Sequence, residues 1–201
     1  MKKVLSLVVA LLAATTSFAQ ADAGSVSIIP RAGVALATMT NGTDTKIKPG
    51  FVGGADVQFQ FNDLVGLTAG VFYEMQGTKF KNFSSTLKND YVNIPILFNC
   101  YVVKGLAVKI GLQPGFLVSS KASDGFLEYL KLTGDTKDLF KSFDLAVPVG
   151  LSYEISNVIL DVRYNWGLTN VCKRTELDKI FGEKNISRNS VFQITLGYRF
   201  Q

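Results

Sequence analysis

The sequence contains no histidine and only two cysteines, so it lacks the side chains most often used as general bases and metal ligands. It has no Cys-x-x-Cys pair, which excludes zinc ribbons and disulfide scaffolds. Charged residues make up only 18% of the chain and hydrophobic residues 47%, a balance that excludes disorder. The net charge of +5 is too small and too dispersed to favour nucleic acid as a partner. We predict no catalytic residues, no metal site and no cofactor.

The first nineteen residues have the three-part layout of a secretory signal peptide. Lys2 and Lys3 give a positive start, and an apolar run, residues 4–14, follows. Ser17 and Ala19 then place small residues three and one positions before cleavage at Gln20. The alternative is a membrane anchor, but a spanning helix needs about 20 apolar residues and this run has roughly half that number. We therefore predict a signal peptide at residues 1–19 and a mature domain at residues 20–201.

Downstream of residue 20, apolar residues recur at every second position, which is the period of a β-strand and not of a helix. The C-terminal segment is the clearest case, because one face carries Phe192, Ile194, Leu196, Tyr198 and Phe200. The same alternation defines eight segments, at residues 26–38, 54–61, 65–74, 92–99, 106–113, 143–154, 158–167 and 192–200.

The connections between these segments alternate in length. Short turn-like links lie at residues 62–63, 103–105 and 155–157, and long polar linkers lie at residues 39–49, 77–89, 119–141 and 170–188. An even number of strands with short links on one side and long loops on the other is typical of outer-membrane barrels. Because unpaired backbone groups are costly in hydrocarbon, such a sheet must close. We predict an all-β fold, an eight-stranded antiparallel up-and-down transmembrane β-barrel.

Alternation alone does not say which face points outward, since a soluble lipocalin-like barrel has its apolar face inside. Side-chain size favours the membrane arrangement, because eight strands enclose little interior space. The less apolar face carries small residues: Gly33, Ala35, Ala37, Gly66, Gly70, Ala107, Gly111, Gly150, Gly167 and Gly197. The apolar face carries bulky aromatic residues that fit an outer surface: Tyr73, Phe98, Tyr153, Tyr164, Trp166, Tyr198 and Phe200.

The predicted inner face also carries charges of both signs, and isolated buried charges are costly, so we expect them to be paired. One interpretation is a proton or ion path, and the simpler one is a satisfied polar core. These residues are Arg31, Asp56, Glu74, Lys109, Asp144, Glu154, Asp161, Arg163 and Arg199.

Three prolines and two cysteines need separate interpretation. Pro95, Pro114 and Pro148 fall within predicted strands, where we expect a bulge or a missing ladder bond at each. Cys100 lies near a short link and Cys172 in a long linker, at opposite ends of the strands and too far apart to form a disulfide. We therefore predict two free thiols.

Three stretches resemble a known family. They are residues 91–98 (Tyr-Val-Asn-Ile-Pro-Ile-Leu-Phe), residues 161–171 (Asp-Val-Arg-Tyr-Asn-Trp-Gly-Leu-Thr-Asn-Val) and residues 194–200 (Ile-Thr-Leu-Gly-Tyr-Arg-Phe). With the signal peptide, they resemble the small outer-membrane β-barrel proteins of Bacteroidetes-type bacteria, called porin-family or PorT-like. The resemblance implies an outer-membrane location and no reaction. Such barrels typically end in Phe, whereas here Gln201 follows it.

We expect a monomeric barrel with a filled lumen, in contact with outer-membrane lipid and not with nucleic acid. Its role is then structural or partner-binding, through the loops at residues 119–141 and 170–188. The alternatives are a narrow porin-like channel for small solutes, a component linked to protein secretion, a barrel enzyme and a periplasmic lipocalin-like binder.

Overall fold

A computed structural model of the chain describes residues 22–40, 45–80, 86–122, 140–171 and 188–200. Within these ranges the regular structure consists of β-strands, and no helix has the length and apolar character needed to cross a membrane. The predicted signal peptide, residues 1–19, lies outside them, as does Cys172. The strands are β1 (Val26–Thr40), β2 (Thr45–Lys46), β3 (Lys48–Asn62), β4 (Val65–Phe80), β5 (Thr86–Asn93), β6 (Ile96–Val103), β7 (Leu106–Ala122), β8 (Phe143–Ile155), β9 (Val158–Gly167) and β10 (Arg188–Tyr198).

The strands close into a barrel in which every pairing is antiparallel. From β1 the wall runs through β3 and β4 in one direction and through β10, β9, β8 and β7 in the other. Strands β5 and β6 both pair with β4 and β7 and close the gap between them. Because β5 and β6 occupy one position, with β2 as a short addition on β4, the wall has eight strand positions. The predicted eight-stranded barrel is confirmed.

The two faces of the wall have the predicted orientation. Trp166 is 61% exposed and Leu196 59%, whereas Asp56 and Glu74 are fully buried. Apolar side chains therefore cover the outside and polar ones fill the lumen, which is the reverse of a soluble lipocalin-like barrel. Of the aromatic residues predicted to lie outside, only Tyr153 is half-buried.

The short links are where the sequence places them, but the long linkers begin and end closer to the loop tips. At the link of residues 62–63, the side-chain oxygen of Asn62 accepts hydrogen bonds from the backbone N–H groups of Leu64 and Val65. On the other side, the predicted linker boundaries are wrong, because strand structure continues into them. Residues 39–40, 45–46, 48–49, 77–80, 86–89, 119–122 and 188 all belong to strands.

Pro95 and Pro148 interrupt the ladder as expected, whereas Pro114 keeps its pairing with Leu145 on β8. Ile94 and Pro95 separate β5 from β6, although the backbone N–H of Ile94 still donates to the carbonyl of Pro114. Strands β7 and β8 pair up to Ile110–Val149 and resume at Gln113–Ala146, so the pairing lapses beside Pro148. Proline has no backbone N–H, and the gap is the direct consequence.

Candidate functional site: the lumen and its outer end

A single carboxylate, Asp161, joins three cations at the centre of the lumen. Its Oδ2 lies 2.9 Å from Arg31 Nη1 and 2.8 Å from Lys109 Nζ, and its Oδ1 lies 3.1 Å from Arg163 Nη2. Arg31 is on β1 and Lys109 on β7, which stand at opposite positions of the eight-strand wall. The two side chains meet on one oxygen, so this cluster crosses the lumen from wall to wall.

Two further carboxylates complete the central network. Arg31 Nε lies 2.7 Å from Asp56 Oδ2, and both side chains are fully buried. Glu74 accepts hydrogen bonds from the amide groups of Gln193 at 2.6 Å and Gln76 at 3.1 Å, and from Asn93. Gln193 on β10 reaches Glu74 on β4 across the lumen, so a second layer of contacts lies next to the first.

Small residues in the wall make room for these groups. A methyl group on Gly70 would lie 2.2 Å from Asp56 Oδ1, and one on Gly197 would lie 2.7 Å from Arg31 Cγ. Both distances are well inside van der Waals contact. Gly70 and Gly197 are therefore required by the volume of the charged side chains beside them.

The inner end of the lumen, on the side of the short links, is filled by a second ion pair. Arg199 binds Glu154 through two parallel hydrogen bonds, of 2.6 Å from Nε and 2.8 Å from Nη2, and its Nη1 donates to Ser27 at 3.0 Å. Nearby, Gln58 donates to the hydroxyl oxygen of Tyr101 at 2.8 Å. The two parallel bonds between Arg199 and Glu154 fix the orientation of both side chains, because the guanidinium and carboxylate planes match.

The outer end is filled by apolar side chains. The backbone N–H of Lys141 donates to the carbonyl of Val171 at 2.8 Å, and that of Leu117 donates to Ser142 at 2.8 Å. These bonds hold the bases of the two long loops together. We call the buried side chains at this point the outer apolar cluster; its members are Met39, Leu87, Tyr91, Leu117, Phe140 and Val171.

All nine predicted lumen charges are buried, and the structure adds a tenth that the sequence analysis missed. Lys48 is buried, and its Nζ donates to the backbone carbonyl of Gln76 at 2.8 Å. It was missed because it lies in the predicted linker 39–49. The alternation of β3, continued back from Asp56 in steps of two, would have found it. In the described part of the chain, five buried cations then face five buried carboxylates.

The main charged groups of the lumen bind one another or neighbouring amides. Two central cations share Asp161 Oδ2, Arg199 forms two hydrogen bonds with Glu154, and Glu74 accepts hydrogen bonds from three amides. These ion pairs and hydrogen bonds link strands on opposite sides of the barrel. Cys100 is a free thiol that faces outward.

Comparison with known proteins gives the same architecture. No curated protein matches the sequence. The attachment invasion locus protein Ail of Yersinia pestis, solved with the heparin analogue sucrose octasulfate, is 15% identical, with a TM-score of 0.50 over 88% of this chain and 99% of that one. Neisserial surface protein A is 18% identical, with a TM-score of 0.53 over 87% and 97%. At these identities, the likeness shows the fold.

Comparison of the sequence with models of protein families identifies the family to which the chain belongs. The model for the outer membrane protein beta-barrel domain matches residues 18–173, which is most of the chain. The match shows the general family but not the narrower Bacteroidetes-type group that the three motifs resemble. Strand β10 lies beyond the matched residues and closes the barrel by pairing with β1. The chain therefore belongs to the outer membrane β-barrel family and resides in the Gram-negative outer membrane.

Proposed function

We propose that this protein is a closed, monomeric and non-enzymatic barrel that binds a partner through the outer loops between β7 and β8 and between β9 and β10, within residues 119–141 and 170–188. The observation that carries the proposal is the contact of Arg31 and Lys109, from opposite walls, on the same oxygen of Asp161. Within the described residues, this contact crosses the lumen at the level of Asp161 and obstructs the passage of a solute there. This leaves the surface outside the membrane as the place where a function is exercised.

The outer apolar cluster supports the same proposal. Phe140 and Val171 are buried at the bases of the two loops, and the bond between Lys141 and Val171 joins those bases. A loop whose base is fixed loses less conformational freedom when it binds. The barrel thus provides a rigid support for recognition.

The comparison with Ail is consistent with a binding role. That protein is named for attachment and invasion, and it was solved with a heparin analogue. A barrel of this size therefore carries out recognition in at least one other protein. Here we propose the general role, with a partner protein as the ligand.

Planar-bilayer recording tests whether the lumen is closed. The folded protein should give no single-channel steps, and the variant Asp161→Ala, which removes the contact shared by Arg31 and Lys109, provides a comparison. Steady conductance by the unaltered protein would contradict the proposal and favour the narrow porin-like channel.

A photo-crosslinking residue at position 129 tests the loop assignment in intact cells. We expect one defined crosslinked species from position 129. A variant lacking residues 124–138 should lose the same species from a probe placed at position 179 of the second loop, while it retains heat-modifiable migration, the test of folding. The same probe at Lys104, on the short-link side, is the control. Crosslinking only from position 104 would contradict the assignment, and capture of a secretion protein from position 129 would favour the secretion role.

We also propose that residues 1–19 direct export and are removed. N-terminal sequencing of protein from the outer-membrane fraction should then begin at Gln20. A mature chain that still begins at Met1 would overturn this proposal.

A further inference from the structure

Four lysines form a continuous patch on the outside of the wall, near the long-loop end. They are all exposed and lie on neighbouring strands: Lys46 on β2, Lys79 on β4, Lys88 on β5 and Lys121 on β7. The register places Lys46 directly opposite Lys79, and Lys88 directly opposite Lys121. Because Lys79 pairs with Thr86, Lys88 is its diagonal neighbour. We call these four residues the lysine patch.

This arrangement is unfavourable by itself. Like charges directly opposite one another destabilise a sheet, and diagonal neighbours are still only about 7–8 Å apart. In the ranges that the structure describes, the ion pairs lie in the lumen and none involves these lysines. Asp90, an acidic group nearby, accepts a hydrogen bond from the Tyr73 hydroxyl at 2.9 Å and offsets at most one of the four positive charges. Within the described residues, the patch is therefore a surface of net positive charge.

The height of the patch indicates what it faces. On β4 the outward residues before Lys79 are apolar, with Tyr73 37% and Met75 39% exposed. On β7 the outward residues Phe116 and Val118 precede Lys121. A strand rises about 3.3 Å per residue, so the ammonium groups lie within roughly 10–15 Å of the last lipid-facing side chains. That is the level of the lipid headgroups.

We propose that the lysine patch binds the phosphate groups of an anionic lipid in the outer leaflet of the outer membrane. Ammonium groups are point-charge donors suited to phosphate oxygens. Phosphates between the lysines would turn each repulsive pair into two attractive contacts. The side chains project sideways from the wall, toward lipid, so a membrane lipid fits the patch better than a soluble anion.

Binding of lipid A with two phosphates to the full-length folded protein, in zwitterionic detergent, tests this proposal by native mass spectrometry. Each lysine near an anionic surface contributes to binding, so Lys88→Gln/Lys121→Gln should weaken binding roughly 10-fold or more. The quadruple Lys→Gln variant should weaken it roughly 100-fold or more. A quadruple Lys→Arg variant keeps the charge and should bind nearly as well as the unaltered protein.

The control matched to the double variant is Lys104→Glu. It also lowers the net charge by two units, but at the opposite end of the barrel. It should alter lipid A binding less than about two-fold. Lipid A without phosphates should bind weakly to every variant, and inorganic phosphate at equal concentration should not displace the lipid. Equal binding by the quadruple Gln variant, equal loss in Lys104→Glu, or displacement by inorganic phosphate would each overturn the proposal.

Discussion

At the scale of single residues, the lumen is organised around Asp161. It is the one carboxylate shared by Arg31, Lys109 and Arg163, and its removal leaves buried cations short of a counter-charge. Removing one partner from a buried ion pair lowers the stability by more than the net contribution of the pair, because the other charge stays buried without a counter-charge. Asp161 is therefore the position where the smallest chemical change has the largest effect.

We predict that Asp161→Asn lowers the free energy of unfolding by about 3–5 kcal/mol, because the amide keeps the shape but removes the charge. Urea unfolding in lipid vesicles, followed by tryptophan fluorescence, measures this. The control is Asp22→Asn, at an exposed position, which should change the free energy by no more than about 0.5 kcal/mol. Equal stability of the two variants would show that the central network contributes little.

The charged residues of the lumen could be predicted from the sequence, but their partners could not. The nine inner-face charges could be predicted because each occupies an alternate position in a clear strand. Their partners could not be predicted, since the contact of Gln193 with Glu74 joins residues 119 positions apart. Such pairs depend on how far each strand is shifted against the next, which a single sequence does not specify.

At the scale of strands, the cores of the eight segments could be predicted and their outer ends could not. The alternation of apolar and polar residues exists because one face of the strand meets lipid. Beyond the hydrocarbon, that constraint ends while the hydrogen-bonded ladder continues, so Lys79 and Lys88 lie in strands that no longer alternate in hydropathy. The same cause hid the lysine patch within predicted linkers.

We predict that Ile194→Arg, in the lipid-facing middle of β10, destabilises the barrel by about 2–4 kcal/mol. The same change at the outer end of β1, Thr40→Arg, should cost no more than about 1 kcal/mol, because this position is near the water interface. Urea unfolding of both variants in vesicles measures how the cost of an outward arginine depends on its depth in the membrane. If Thr40→Arg were the more costly change, the membrane position assigned to these strands would be wrong.

The outer apolar cluster gives a prediction at the same scale. Phe140 is buried at a loop base, whereas Phe143, three residues later, is 46% exposed on the lipid-facing side. We expect Phe140→Ala to release the loop base and to speed trypsin cleavage within residues 123–139, while the barrel remains folded. Phe143→Ala should leave the cleavage rate unchanged. Limited digestion with mass spectrometry checks both, and equal rates would contradict the anchoring role of the cluster.

At the scale of the whole molecule, closure follows from the cost of unpaired backbone groups in lipid. The sequence predicts an even strand count and short inner links, and β10 completes the ring on β1. What fills the ring is also general: eight strands leave room only for side chains, and the charges there balance. The role proposed for the outer loops could not be predicted from these constraints, because the loop sequences do not alternate between apolar and polar residues as the strands do.

Bulky apolar side chains face lipid, while the polar ones fill the barrel. The chain has one tryptophan, Trp166, which is 61% exposed on the outside of β9. In vesicles containing lipids brominated along the acyl chain, its fluorescence should be strongly quenched, and aqueous acrylamide should quench it weakly. Quenching by acrylamide with no effect of the brominated lipids would contradict the account.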